Sequence, residues 1–314
     1  MSEYKKIHGI HVQALASDPS NLGAGQVWYN TTTNKLKITA VSTTGTWATG
    51  GNLGTARYHI AGCGTQTAGL GFGDTPIAND TEHYDGSAWT AGGNLGTGRG
   101  YLAGAGTQTA GLAFGGYAGG ETNATEHYDG SAWTSGGNMA TARSSLAGAG
   151  TQTAGLAFGG GSPTTNATEH YDGSAWTAGG NMATTRYKLA GAGTQTSGLA
   201  FGGGSPTTNA TEHYDGSAWT SGGNLGTAKY YLAGAGTQTA GLAFGGGFPI
   251  SNTTEHYDGS AWTAGGNMAT TRYSLGGAGT LSAGLGFGGY ADDKVNATEE
   301  YAGPGIISKT VTSS

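Results

Sequence analysis

The chain has 314 residues, of which 65 are glycine, only 10% are charged, and the formal net charge is −6. That balance excludes a basic nucleic-acid grip. A single cysteine, Cys63, excludes an intrachain disulfide, and no run of ~18 apolar residues is present to span a bilayer. Glycine at roughly three times its usual ~7% would suit a disordered polymer. Seven Trp, 16 Tyr and 7 Phe argue instead for a packed core.

Taken in chain order, the N-terminal "MSEYKKIHGIHVQALASD" lacks an apolar core long enough for a secretory signal, so synthesis and assembly in the cytoplasm are expected. "GQVWYNTTTNKLKIT" (Gly25–Thr39) predicts a strand–turn–strand hairpin. Residues 1–45 are expected to form an extension with this hairpin, residues 46–305 a repeat domain, and residues 306–314 a tail.

The repeat dominates everything after residue 45. Trp47, Trp89, Trp133, Trp176, Trp219 and Trp262 recur every 42 to 44 residues, and "YDGSAW" is written five times. A Phe follows each Trp by 25 residues, and Glu82, Glu126, Glu169, Glu212 and Glu255 each precede the next Trp by 7. All variation in length falls between the Phe and the Glu. Such a period marks a stacked or circular array of one supersecondary unit. Within a unit, "YLAGAGT" (Tyr101–Thr107) predicts strand a, "AGLAFGG" (Ala110–Gly116) strand b, "ATEHYD" (Ala124–Asp129) strand c and "SAWT" (Ser131–Thr134) strand d. The Asp-Gly between c and d predicts a type I′ hairpin turn. No segment has helical periodicity.

Six a-b-c sets and six Trp-bearing d strands are present, but the first d strand, at Thr46–Trp47, precedes every a strand. In the last unit "YAGPGI" stands where "YDGSAW" is due, with Ile306 in the Trp place. The expected fold is therefore all-β: a six-bladed propeller in which an N-terminal strand completes the final blade and closes the ring. The six Trp are its expected core, burying ~150–250 Å² each.

The order "FGG", then "YD", then Trp, with Arg after strand d, resembles the kelch repeat of kelch propellers and of the galactose-oxidase central domain, over residues ~46–302. "FGD" (Phe72–Asp74) departs from the pattern in the first unit. "VWYNTTTNKLKI" is similar to a short segment of bacteriophage tail-fibre and other virion proteins, and Gly/Ala/Thr-rich kelch-like arrays resemble marine phage structural proteins. These resemblances imply a non-enzymatic component of a phage particle, a fibre, tail or capsid-decorating protein. Residues 1–45 would contact other virion proteins, the propeller would face a host surface glycan or a virion neighbour, and a homo-oligomer is one expected state. The alternatives are a sialidase-like hydrolase or lyase on a propeller scaffold, and a cellular kelch-type interaction scaffold.

Repeated residues are expected to be structural. His83, His127, His170, His213 and His256 sit on strand c of different blades and cannot converge within the ~2 Å bonds zinc requires, so no metal or other cofactor is expected. Arg57, Arg99, Arg143, Arg186, Lys229 and Arg272 match Glu82, Glu126, Glu169, Glu212, Glu255 and Glu299 in number and period, which predicts inter-blade ion pairs. The Asn-x-Thr triplets at Asn79, Asn123, Asn166, Asn209, Asn252 and Asn296 are expected to be turn positions. Catalysis needs a local asymmetric constellation, and the repeat supplies none. The copies differ just after the basic residue and in the b–c loop, two connections that an up-down blade places on one face. Tyr58, His59, Tyr101, Tyr117, Tyr187, Lys188, Tyr230, Tyr231, Phe248, Tyr273 and Tyr290 are the candidate ligand-binding residues, expected to be exposed there.

Overall fold

The structure is a computed structural model that describes residues 12–19, 23, 25–75 and 77–311. The expected attachment role of residues 1–45 therefore falls partly outside the described residues, at 1–11, 20–22 and 24. Pro76 and residues 312–314 also lie outside them. Among the described residues the fold is all-β, with no helix and seven four-stranded sheets. The chain divides into two compact units, Met1–Gly45 with Pro304–Ser314, and Thr46–Gly303.

The smaller unit is a single sheet in the order Gln13–Leu15, Val27–Asn30, Lys35–Ser42, Gly305–Thr310. The expected hairpin is its centre, with Val27 opposite Ile38 and Asn30 opposite Lys35. Trp28 is wholly buried, and its indole N–H donates to Asp18 Oδ1 at 3.1 Å. The C-terminal residues are not a tail: Gly305–Thr310 pairs antiparallel with Lys37–Ser42.

The larger unit is a propeller-like repeat of six antiparallel a-b-c-d sheets. In the second of them strands a to d are Ala103–Thr107, Ala110–Phe114, Thr125–Tyr128 and Trp133–Ser135. Strand b stops at Phe114 because Gly115 and Gly116 adopt φ of 62° and 104°, which a side chain would resist. The final sheet takes its d strand from the beginning of the unit: Thr46–Thr49 pairs with Thr298–Ala302, with Trp47 opposite Tyr301.

The c–d hairpin differs from the expected type I′ turn. Tyr128 pairs with Trp133, so the loop has four residues, and only Gly130 has positive φ. Asp129 Oδ1 accepts from Ser131 N, Ser131 Oγ and Ala132 N, each at 2.8 Å. The carboxylate, rather than a left-handed pair, makes the turn.

Adjacent sheets are joined by recurring side-chain contacts. Each Trp packs on the Phe of the preceding sheet, as Trp133 does on Phe72 at 4.9 Å and Trp89 on Phe287 at 4.8 Å. Its indole donates to a strand-c Thr of that sheet at 2.9 Å, Trp133 to Thr81 and Trp176 to Thr125. Gln108 Nε2 donates to the carbonyls of Gly69 and Tyr84, again one sheet back.

The basic residues lie in the connection leading into each sheet and pair with its strand-c Glu. The distances run from 2.5 Å for Arg57–Glu82 to 3.3 Å for Lys229–Glu255. Arg99–Glu126, Arg143–Glu169, Arg186–Glu212 and Arg272–Glu299 are equivalent. The expectation of inter-blade pairs is thus corrected: each pair pins the incoming connection to the sheet it enters. The histidines instead reach across the seam. His83, His127, His170 and His213 place Nε2 2.7 Å from the hydroxyls of Tyr128, Tyr171, Tyr214 and Tyr257, and His256 meets Tyr301 likewise. The Asn-x-Thr asparagines bond backbone carbonyls, for example Asn123 Nδ2 to Met139 O at 2.8 Å. Cys63 is buried on strand a, and burial pushes its thiol up to about 12.

Candidate functional site

The connection from d to a ends in two residues whose backbone is held firmly while their side chains vary. The first, at 58, 100, 144, 187, 230 or 273, forms bridges to the b–c loop in most copies: Gly100 to Tyr117, Ser144 to Gly161, Tyr187 to Gly204, Tyr230 to Gly247 and Tyr273 to Tyr290. The second is His59, Tyr101, Ser145, Lys188, Tyr231 or Ser274, and all six are left-handed, with φ between 53° and 57°. Most other recurring left-handed positions are glycine, such as Gly106 and Gly130 with their equivalents, the exception being Ser162, Ser205 and Phe248 in the b–c loops of three copies. Here no copy uses glycine, although a side chain in this conformation costs about 1–2 kcal/mol.

These six residues are also linked to one another. Tyr101 N donates to His59 O, Ser145 N to Tyr101 O, Lys188 N to Ser145 O, Tyr231 N to Lys188 O and Ser274 N to Tyr231 O. His59 N then donates to Ser274 O at 2.9 Å, and the cycle returns to its start. Beneath it lie Ile60, Leu102, Leu146, Leu189, Leu232 and Leu275, all buried. Between the polar ring and this apolar floor is a cavity of about 100 Å³. His59 Nε2 and Ser274 Oγ, on residues only 9% and 6% exposed, line it without a hydrogen-bond partner.

Every candidate residue from the sequence lies in or around this ring, but only Tyr117 and Phe248 are exposed as expected, and the other tyrosines and Lys188 are half-buried because they pack on one another. His59 is buried and stacks on Tyr101 at 3.6 Å, with Tyr231 at 4.9 Å. Burial, and then the charge of Lys188, lowers its imidazole to about 3, so it is neutral at physiological pH. Burial likewise raises the phenols of Tyr231 and Tyr101. Around this centre Tyr58, Tyr290 and Tyr273 form a chain of ring contacts at 5.3 and 5.5 Å. Tyr230 stacks on Phe248 at 5.6 Å, and Phe248 is 74% exposed. Lys188 Nζ lies 4.7, 5.2 and 4.5 Å from the ring centres of Tyr187, Tyr230 and Tyr231.

Tyr117 belongs to a second, larger cleft of about 440 Å³, lined by Thr75, Tyr101, Tyr117, Glu121, Ser144, Ser145 and Tyr231. It shares Tyr101, Ser145 and Tyr231 with the central cavity. Sequence reasoning missed Ser145, Ser274, Glu121 and the Ile/Leu floor. The two serines occupy the same register as His59 and Lys188, and that register was the available signal. Among the described residues no cluster of three or more His, Cys, Asp or Glu could hold a metal ion. Comparison with protein-family models finds no matching family, and no curated protein matches the sequence.

Proposed function

We propose that the larger unit is a closed six-bladed propeller of kelch type and that the chain is a non-enzymatic binding component of a phage particle. Its tyrosine face would engage a host surface glycan, and the smaller unit would attach it to other virion proteins. The observation that carries the binding assignment is the ring of six left-handed residues, none of them glycine. Side chains retained at an energetic cost on an otherwise repeated frame point to a role in recognition. Tyrosines around an open cleft suit the flat apolar faces of sugar rings while their hydroxyls reach polar groups.

Binding is favoured over hydrolysis because glycosidases pair two carboxylates across the scissile bond. Glu121 is the single carboxylate lining the cleft among the described residues. Asp74, nearby on this face, accepts from Tyr58 N and pairs with Lys294 at 3.6 Å.

The test is binding of the purified protein to immobilised host surface polysaccharides, with Tyr117→Ala and Tyr230→Ala as variants. Binding that falls in both variants at unchanged melting temperature supports the face. Release of reducing ends would move the assignment to the hydrolase, and capture of a virion protein with no glycan would move it to a scaffold. Absence of the protein from the proteome of intact particles would remove the virion assignment.

A further inference from the structure

The ring carries one charge that no acid offsets. Lys188 is held over three tyrosine faces, yet among the described residues no Asp or Glu forms a salt bridge with it. The other lysine on this face, Lys294, pairs with Asp74 and donates to Thr75 O. Beside Lys188, Ser145 borders both the cavity and the cleft with its side chain bonded to Tyr231, and it is joined to Lys188 by the Lys188 N to Ser145 O bond at 2.7 Å. His59 Nε2 and Ser274 Oγ are polar atoms without partners in the same cavity. An ammonium at the edge of a low-dielectric cavity, with hydroxyls at hand, is a site for a compact anion.

The cleft supplies the rest of a ligand. A volume of about 440 Å³ admits a pyranose ring with room to spare, and the central cavity of about 100 Å³ admits only a small substituent. Tyr101 and Tyr117 line the cleft, and Glu121, 3.4 Å from Ser144 Oγ, can accept from ligand hydroxyls. We infer that the glycan is acidic: a uronic-acid residue lies in the Tyr101–Tyr117–Glu121 cleft and directs its carboxylate past Ser145 to Lys188. This inference rests on the glycan-binding reading above and narrows it to sugars that carry a carboxylate.

The experiment compares trigalacturonate with the same trisaccharide after its carboxylates have been reduced to hydroxymethyl groups, by calorimetry on the full chain. The wild type is expected to bind the acid about tenfold or more tighter, as a charge-assisted hydrogen bond would give, and the gap should narrow as salt is added. Lys188→Gln should abolish the gap, bringing the acid down to the affinity of the reduced sugar, and Lys188→Arg should retain it. Melting temperatures of both variants check the fold. Equal binding of the two sugars by the wild type, or a gap that survives in Lys188→Gln, overturns the inference and leaves glycan binding standing. Failure to bind either sugar or any polysaccharide of the panel overturns the glycan reading itself.

Discussion

The indole N–H of Trp89 donates to Thr298 Oγ1 at 2.9 Å across 209 residues of sequence. The bond joins the first sheet of the repeat to the last, and Trp47 does the same for the fifth and sixth sheets through Thr254. Both rings also pack on the Phe of the earlier sheet, Phe287 and Phe244. Trp89 is partly buried, so Trp89→Ala should cost about 3 kcal/mol, the low end of the range for a large aromatic lost from a core. Urea denaturation reads this directly, and a loss below about 1 kcal/mol would mean that this seam contributes little.

The buried pairs make a sharper prediction. Arg186 and Glu212 are 2.6 Å apart and almost wholly buried, and Arg186 Nη1 also donates to Gly202 O and Ala210 O. Arg186→Met strands the carboxylate and should cost about 3–5 kcal/mol. Adding Glu212→Leu should recover part of that loss, because the unpaired charge is then removed. A double variant no more stable than the single one would locate the effect in the lost carbonyl bonds.

Acid should weaken the fold in two stages. Burial lowers the pKa of His83, His127, His170, His213 and His256 below the usual 6.5. The unfolded chain then binds more protons, so their contribution is complete above about pH 6.5 and is lost as pH falls below it. Backbone N–H donors, led by that of the Ala of each turn, hold Asp85, Asp129, Asp172, Asp215 and Asp258 below 3.8, which adds a second loss below about pH 3.8. Melting temperature followed from pH 8 to pH 3 should drop in both windows. Replacing two of the histidines with Gln should shrink only the first drop.

Gly in place of a ring serine separates frame from function. Ser274 has φ of 55° and a hydroxyl without a partner. Ser274→Gly relieves about 1 kcal/mol of conformational strain against a similar gain in unfolded-chain entropy. Its melting temperature should stay within a few degrees of wild type. A fall of 10 °C would show that the hydroxyl holds the ring together.

One seam lacks a bond that the others have. Gln66, Gln108, Gln152, Gln195 and Gln238 each clamp two carbonyls of the preceding sheet. The sixth copy has Leu281 in that place. Amide exchange should be fastest along Gly276–Gly279, and Leu281→Gln should slow it. Equal protection of all six a strands would contradict this.

Much of the architecture could be read from the period itself. A residue that recurs every 43 or so positions must do the same job in each sheet, so the Arg–Glu partnership and the strand borrowed by the last sheet followed from counting. What the period hid was conformation and remote pairing. Tyr101 was read as the start of strand a because it adjoins "LAGAGT", whereas its backbone is left-handed and the strand begins at Ala103. The strand Gly305–Thr310 was missed because its partner, Lys37–Ser42, lies at the other end of the chain and outside the repeat. Ser145 and Ser274 stand in the same variable register, but a small hydroxyl offers little contact surface beside Tyr and Lys. The shared dihedral, the amide cycle and the orphaned oxygen of Ser274 mark the register as one site.

Because the amide cycle fixes the six backbones alike, the side chains at its rim can be exchanged without rebuilding anything below them. His, Tyr, Ser, Lys, Tyr, Ser is in effect a six-letter word set in a permanent frame. Chains sharing this frame could change what they recognise by respelling that word one codon at a time, while the tryptophans, glutamines and buried ion pairs stayed as they are.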